Sequence, residues 1–279
     1  MNENAYYNGL LSSSTLFHFT NKIENLKSIL ENGFYPHLAD EDISNILPNY
    51  KQTQKAKISW PMICFCDIPF FLSKKHQARY GYFAIELKKN WGIENKLNPV
   101  MYLNSDTIPQ QSFFEIQKWI FNCIQNSRDI LDEFSQKQAI DEHEKESQNI
   151  VLKLIRFCGY IKLYTEKASE KPYYDEREWR YFPPVQDMEF EEYTNILVDD
   201  SINEDRKKNV NERLKKYPLK FSPCDVRHII VTNEKEKSEL KKYINESIID
   251  NVYIRKIITT DERLSEDKEI ISELPFYKV

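Results

Sequence analysis

Only five glycines, Gly9, Gly33, Gly81, Gly92 and Gly159, serve a chain of 279 residues, and their spacing restricts the available folds. No Gly-x-Gly-x-x-Gly and no Walker-type loop can be written with them, so the usual backbone cradles for phosphate are missing. A doubly wound parallel sheet with phosphate at a glycine turn is thereby disfavoured. Gly-x-Ser-x-Gly is absent too, and no serine has a locally suggestive histidine and acid, so a hydrolase triad has no support.

The remaining signals alternate between strand and helix. "TLFHFT" reads as a short buried strand, and "NKIENLKSILENG" as a helix from Asn21 to Asn32. Asn21 is its expected N-cap, with Glu24 closing a capping box. Ile23, Leu26, Ile29 and Leu30 form its apolar face, and Gly33 supplies the left-handed stop. Residues 36–57 read as an irregular loop. "WPMICFCDIP" is a strand, "FFLSKKHQARYG" a helix, and "YFAIELK" and "NPVMYLN" further strands. From Ser112 to Tyr164 helical spacing takes over on both sides of an acidic stretch, "DEHEKESQ", which reads as the polar tip of an inserted hairpin. "EREWRYFPP" and "NILVDD" return to strand, "EDRKKNVNERLKK" to helix, and "VRHIIVTN", "EKEKSELKKYIN" and "NVYIRKIITT" close as strand, helix, strand. The expected fold is α+β in a single domain, residues 1–279, with a helical insertion at about 112–164.

Composition narrows the setting. With 41% hydrophobic and 13% aromatic residues the chain is long enough for a large core. No apolar run approaches the roughly 18 residues of a membrane span, and residues 1–14 do not read as a signal peptide, which points to the cytoplasm. Five cysteines without Cys-x-x-Cys spacing are expected as reduced thiols and not as a metal site. Alternation places Cys64 and Cys66 on one strand face and Ile63 and Phe65 on the other. A net charge of −5 disfavours general adhesion to nucleic acid. Locally, seven basic residues against one acid between Arg206 and Lys220 suit either an acidic target or a solvated helix face.

Two constellations carry candidate chemistry. His18, with Thr20 on the same strand face, can donate one hydrogen bond and accept another, which suits a ribose hydroxyl. The alternative is a core histidine satisfied by a backbone carbonyl. In "YYDEREWRYF", strand geometry would put the carboxylates of Glu176 and Glu178 on one face and Arg177 and Trp179 on the other. Like charges side by side suit an aqueous cleft, or a solvated strand face.

"LFHFTNKIENLKSILENGF", "ICFCDIP" and "YDEREWRY" together resemble motifs of the abortive phage infection protein AbiGi family, described in general terms as the antitoxin of a phage-defence pair. The resemblance spreads over residues 15–185. More distantly, the order of a histidine strand, a helix ending in Asn-Gly, an aromatic strand and a glutamate strand resembles the ADP-ribosyltransferase fold with its split β-sheet. That second resemblance implies NAD as substrate and no metal. His18, Phe19 and Thr20 would hold the dinucleotide, Phe65 would stack nicotinamide with Tyr80 or Tyr82 as fallback, and Glu178, assisted by Glu176, would be catalytic. The implied activity is transfer of ADP-ribose to a protein or nucleic-acid target in phage defence, or NAD hydrolysis. The first resemblance implies instead an inactive antitoxin or regulatory module that binds a toxin partner.

Overall fold

The computed structural model describes residues 14–42, 57–133, 137–165, 172–184 and 204–272. Strand β1 is Thr15–Thr20, followed by helix α1 (Ile23–Asn32), β2 (His37–Asp42) and β3 (Lys57–Cys66). Helix α2 (Lys74–Tyr80), β4 (Phe83–Lys88), α3 (Lys89–Glu94) and the short strands β5 (Asn98–Pro99) and β6 (Met101–Leu103) lead to two long helices, α4 (Ile108–Glu133) and α5 (Lys137–Cys158). Strands β7 (Ile161–Leu163) and β8 (Glu178–Tyr181), helix α6 (Glu204–Leu214), β9 (Val226–Val231), α7 (Glu234–Glu246), β10 (Ile257–Thr259) and α8 (Thr260–Ser272) complete the order.

The fold is α+β. One eight-stranded sheet runs β10-β9-β4-β1-β3-β8-β5, with β2 also on β3, and β6 and β7 form a separate parallel ladder. The main sheet is continuous where a split sheet was expected. Most of its pairs are antiparallel, and β9 with β10 is parallel, joined by α7.

Each face of the sheet has its own apolar layer. Leu16, Ile63, Phe65, Ile85, Leu87, Ile229 and Val231 pack under Leu26, Ile29 and Leu30 of α1 and Leu240 and Ile244 of α7. On the other face Phe17, Phe19, Cys66, Phe70, Ala84 and Ile230 form a smaller layer with Leu264 of α8. Alternation along β3 therefore separates Phe65 from Cys66 as expected, because successive side chains of a strand point to opposite faces.

Several boundaries differ from the sequence reading. Helix α1 begins at Ile23 with Lys22, not Asn21, at the cap position, and it has no side-chain cap because a lysine side chain has no acceptor for the free backbone N–H groups. Residues 37–42, read as loop, are a strand because β3 is long enough to pair with them from His37↔Met62 to Asp42↔Lys57. The acidic stretch from Asp141 to Gln148 lies inside α5 and is not a hairpin tip, since its Glu, Lys and Gln are strong helix formers. Helix α8 was not anticipated. The expected strand at 195–200 lies outside the described residues. Among the described residues no helix is long and apolar enough to cross a membrane.

Gly33 ends α1 at φ 78°, and a β-carbon there would lie 2.6 Å from the Leu219 carbonyl oxygen. That approach lets Phe34 and Leu219 exchange backbone hydrogen bonds of 2.9 and 2.8 Å. Gly33→Ala is expected to lower the unfolding free energy by about 1–3 kcal/mol in a urea titration, because both the backbone angle and the contact become strained.

Candidate functional site

The sheet divides the expected residues into two groups. His18 and Thr20 lie on the α1–α7 face with Phe65. The His18 ring lies 5.0 Å from that of Phe34 and 5.5 Å from that of Phe65, centre to centre. Its Nδ1 is 2.9 Å from the Cys64 carbonyl oxygen, which only accepts, so Nδ1 carries the proton and donates. Burial pushes the imidazole down to about 4, against the effect of that bond, so the ring is neutral near pH 7. This matches the alternative of a histidine satisfied by a backbone carbonyl.

Phe19, Tyr80, Glu176 and Glu178 occupy the other face. Register fixes this: Phe17 is opposite Cys66, and Cys66 is opposite Glu178, so all three side chains share one side while Phe65 and Trp179 share the other. The His76 ring packs between Phe19 and Tyr80. A dinucleotide cannot be gripped at once by His18 and Glu178, because the sheet itself lies between them. Nor does either residue line the cleft of about 500 Å³ beside Arg156, Tyr160, Tyr181 and Phe182.

What surrounds Glu178 is a buried ionic network. Arg180, 0% exposed, donates from Nε to Glu178 Oε1 at 2.7 Å and from Nη2 to Oε2 at 3.1 Å, and its Nη1 reaches Glu41 Oε2 at 2.8 Å. Lys162 Nζ bridges Glu178 Oε2 at 3.1 Å and Glu176 Oε2 at 2.9 Å. Glu176 Oε1 accepts from Arg79 Nη1 at 2.7 Å and Tyr80 Oη at 3.2 Å. Glu176 does not sit on the strand as expected. It ends a turn of 3₁₀ helix, Tyr173–Glu176, and Arg177 at φ 41° swings the chain into β8. The two carboxylates still converge, because Lys162 stands between them.

Electrostatics follow from these contacts. Burial alone would raise the Glu178 carboxyl, but Arg180 and Lys162 outweigh it and hold the group down at about 2. Lys162 is held up by the same carboxylates against its own burial. Glu41, at the far end of the arginine, is pushed up by burial despite Arg180. Burial and the nearby Glu178 charge raise the Cys64 thiol, so it stays protonated. Glu178 meets Arg180 through both of its oxygens and Lys162 through one, and the Cys64 thiol also hydrogen-bonds to it. Chemically the arrangement is suited to holding β3, β8, β2 and the β6–β7 ladder together, not to stabilising charge on a substrate.

A second network on the same face escaped the sequence reading. Glu86, 0% exposed on β4, receives Arg263 Nε at 2.9 Å and Nη2 at 3.1 Å, together with Thr15 Oγ1 at 2.8 Å, and lies 2.8 Å from His228 Nδ1. Burial favours the neutral acid, yet His228 and Arg263 bring it down to about 2. The available signal was a lone acid inside the apolar strand "FAIELK", which needs a buried cation from elsewhere. The basic stretch, in turn, forms α6, where Val210 and Leu214 are buried, Lys207 pairs with Asp40 and Lys215 with Glu212.

Comparison with known proteins now bears on this geometry. The family described as "Putative abortive phage resistance protein AbiGi, antitoxin" matches residues 32–232, well over half of the chain. The chain belongs to the AbiGi family. It is 29% identical over 256 residues to "Abortive phage resistance protein AbiGi" of Lactococcus lactis subsp. cremoris, covering 84% of this chain and 99% of that protein. No solved structure matches. The expectation of an NAD-dependent ADP-ribosyltransferase is corrected by this membership, since the family is described as an antitoxin and not as a transferase. The matched region contains Glu41, Lys162, Glu176, Glu178 and Arg180, whereas His18 precedes it.

Two stability predictions follow from the networks. Glu178→Gln is expected to cost about 3–5 kcal/mol in urea unfolding, because it leaves the buried Arg180 and Lys162 short of a counter-charge. The pH dependence has a definite sign. Glu86 titrates lower in the fold than in the open chain, so its contribution is fully present above its ordinary value of 4.5 and is lost as pH falls toward about 2. Glu86→Gln should flatten that acid limb by on the order of 3 kcal/mol, read from unfolding curves between pH 6 and 2.

Proposed function

We propose that the chain is a non-catalytic binding module of an abortive-infection phage-defence pair, acting in the cytoplasm as the antitoxin that neutralises a toxin protein. Membership of the AbiGi family carries this reading. The geometry agrees with it: Glu176 and Glu178 are engaged by Arg79, Lys162 and Arg180, and His18 donates from Nδ1 to a backbone carbonyl on the opposite side of the sheet. Carboxylates whose acceptor directions are mostly taken by cations of their own protein have little capacity left for a substrate.

A binding module acts by stoichiometry, whereas an enzyme turns over. Expressed alone, the chain is expected to leave growth unchanged. Co-expressed with its toxin, it should restore growth only as it approaches equimolar amounts, measured by titrating one inducer against the other and quantifying both proteins. Protection at far lower chain-to-toxin ratios, or toxicity of the chain alone, would overturn the reading. His18→Gln should leave protection at the wild-type level, since the ring contributes to packing and not to chemistry.

A further inference from the structure

The cleft of about 500 Å³ opens where three pieces of chain meet: the end of α3, the end of α5 at the base of the hairpin, and the end of β8. Phe182 forms part of its wall. The ring of Phe182 lies 4.8 Å from that of Tyr160 and 6.0 Å from that of the buried Trp60, so a stiff row of aromatic rings backs the space. Arg156, Lys96 and Glu94 supply charge around it.

Two phenols set this cleft apart from an ordinary surface depression. Tyr160 and Tyr181 are half-buried in its lining, and among the described residues neither hydroxyl has a hydrogen-bond partner. Burial raises both, Arg156 countering it at Tyr160, so both keep their protons at neutral pH and can donate. Arg156 is tied to the wall through Nη2, which donates to the Pro183 carbonyl oxygen at 3.1 Å. Lys96 and Glu94 are exposed and make no ion pair among the described residues. Each cation also complements a helix C-terminus, which accounts for its sign but not for the phenols.

We propose that this cleft binds a nucleoside monophosphate, with the base against the rings of Tyr160 and Phe182 and the phosphate toward Arg156 and Lys96. Size and charge select this class. The volume is that of a small-molecule site, whereas a protein partner covers roughly 800 Å² of each surface. A base brings a flat face for the rings and polar edges for the phenols. A phosphate monoester carries about −1.5 to −2, which two cations balance, while the further charges of a triphosphate would meet no counter-charge here. Glu94 repels phosphate and suits a ribose hydroxyl instead. Without a glycine cradle anywhere in the chain, a phosphate has to be met by side chains such as these. The site is separate from His18 and Glu178, implies no transfer reaction, and stands independently of the binding-module reading.

The test is calorimetry on the purified full chain with AMP, GMP, CMP and UMP, and with inorganic phosphate and the matching nucleosides as partial ligands. At least one monophosphate should bind one to one with a dissociation constant of about 10–100 μM, roughly tenfold or more below that of phosphate or of its own nucleoside. Lys96→Asn removes the charge and keeps a residue that tolerates the backbone at φ 64°, and it should weaken binding about tenfold. Tyr181→Phe keeps the ring and should weaken binding about fivefold. Neither change should move the melting temperature of the free protein. Hydrogen exchange on the wild type should show added protection at residues 94–97, 156–160 and 181–184 when the nucleotide is present, a readout that needs no variant. No saturable binding by any of the four at about 1 mM, phosphate binding as tightly as the nucleotide, protection confined to other segments, or affinity unmoved by both substitutions would each overturn the assignment.

Discussion

Arg180 is completely buried, and much of the structure is arranged around that fact. Taking a guanidinium out of water costs several kcal/mol even after the protein relaxes, and only close, well-oriented carboxylates offset it. Glu178 from the same strand and Glu41 from β2 supply them, and Lys162 from the β6–β7 ladder neutralises the excess acid. Three separate pieces of chain, β2, β7 and β8, must therefore be in place together. The network is better understood as a device that sets which elements may neighbour one another than as a source of net stability, because a buried ion group seldom outperforms apolar packing of the same volume.

Glu86 repeats the arrangement at the other side of β1. Arg263 closes on it as a two-pronged donor from α8, far along the chain, and Thr15 and His228 take the remaining directions. Between them the two networks occupy the polar positions of one sheet face, while the opposite face is lined by hydrocarbon and aromatic rings. The candidate carboxylates thus belong to the scaffold. The residues that resemble a transferase's, a histidine, an aromatic and a glutamate pair in that chain order, serve here in core packing and in the charge balance of the sheet. Membership of the AbiGi family and the division of these residues across the sheet point the same way.

Function on this account lies away from the interior carboxylates. The interior charges are self-satisfied, and large apolar side chains are exposed at several places, among them Leu72, Ile93 and Ile248 as well as Ile116 and Trp119 of the α4–α5 hairpin, an element that packs mainly within itself. An element of that kind can change its outer residues with little effect on the main sheet, and partner specificity can be adjusted there while the ionic core stays constant.

Local features were legible in the sequence because local physics decides them. The apolar stripe of α1 and its stop at Gly33, the alternation of Ile63 and Phe65 with Cys64 and Cys66, the two helices of the hairpin, and the α6 and α7 segments all follow from periodicity and backbone preference. Strand β2 was hidden, since "HLADED" has little strand propensity and is held by pairing with β3. Helix α8 was hidden as well, its weakly patterned sequence gaining its place from Arg263 and Leu264 beneath it. The decisive matter, whether Glu178 and His18 share a pocket, was beyond the sequence in principle. Side chains alternate with a period of two, so a shift of one residue in the pairing of β1, β3 and β8 would exchange the faces, and nothing local specifies that register. Tertiary structure set it by burying Leu16, Phe65 and Ile85 on one side and finding cations for Glu86 and Glu178 on the other.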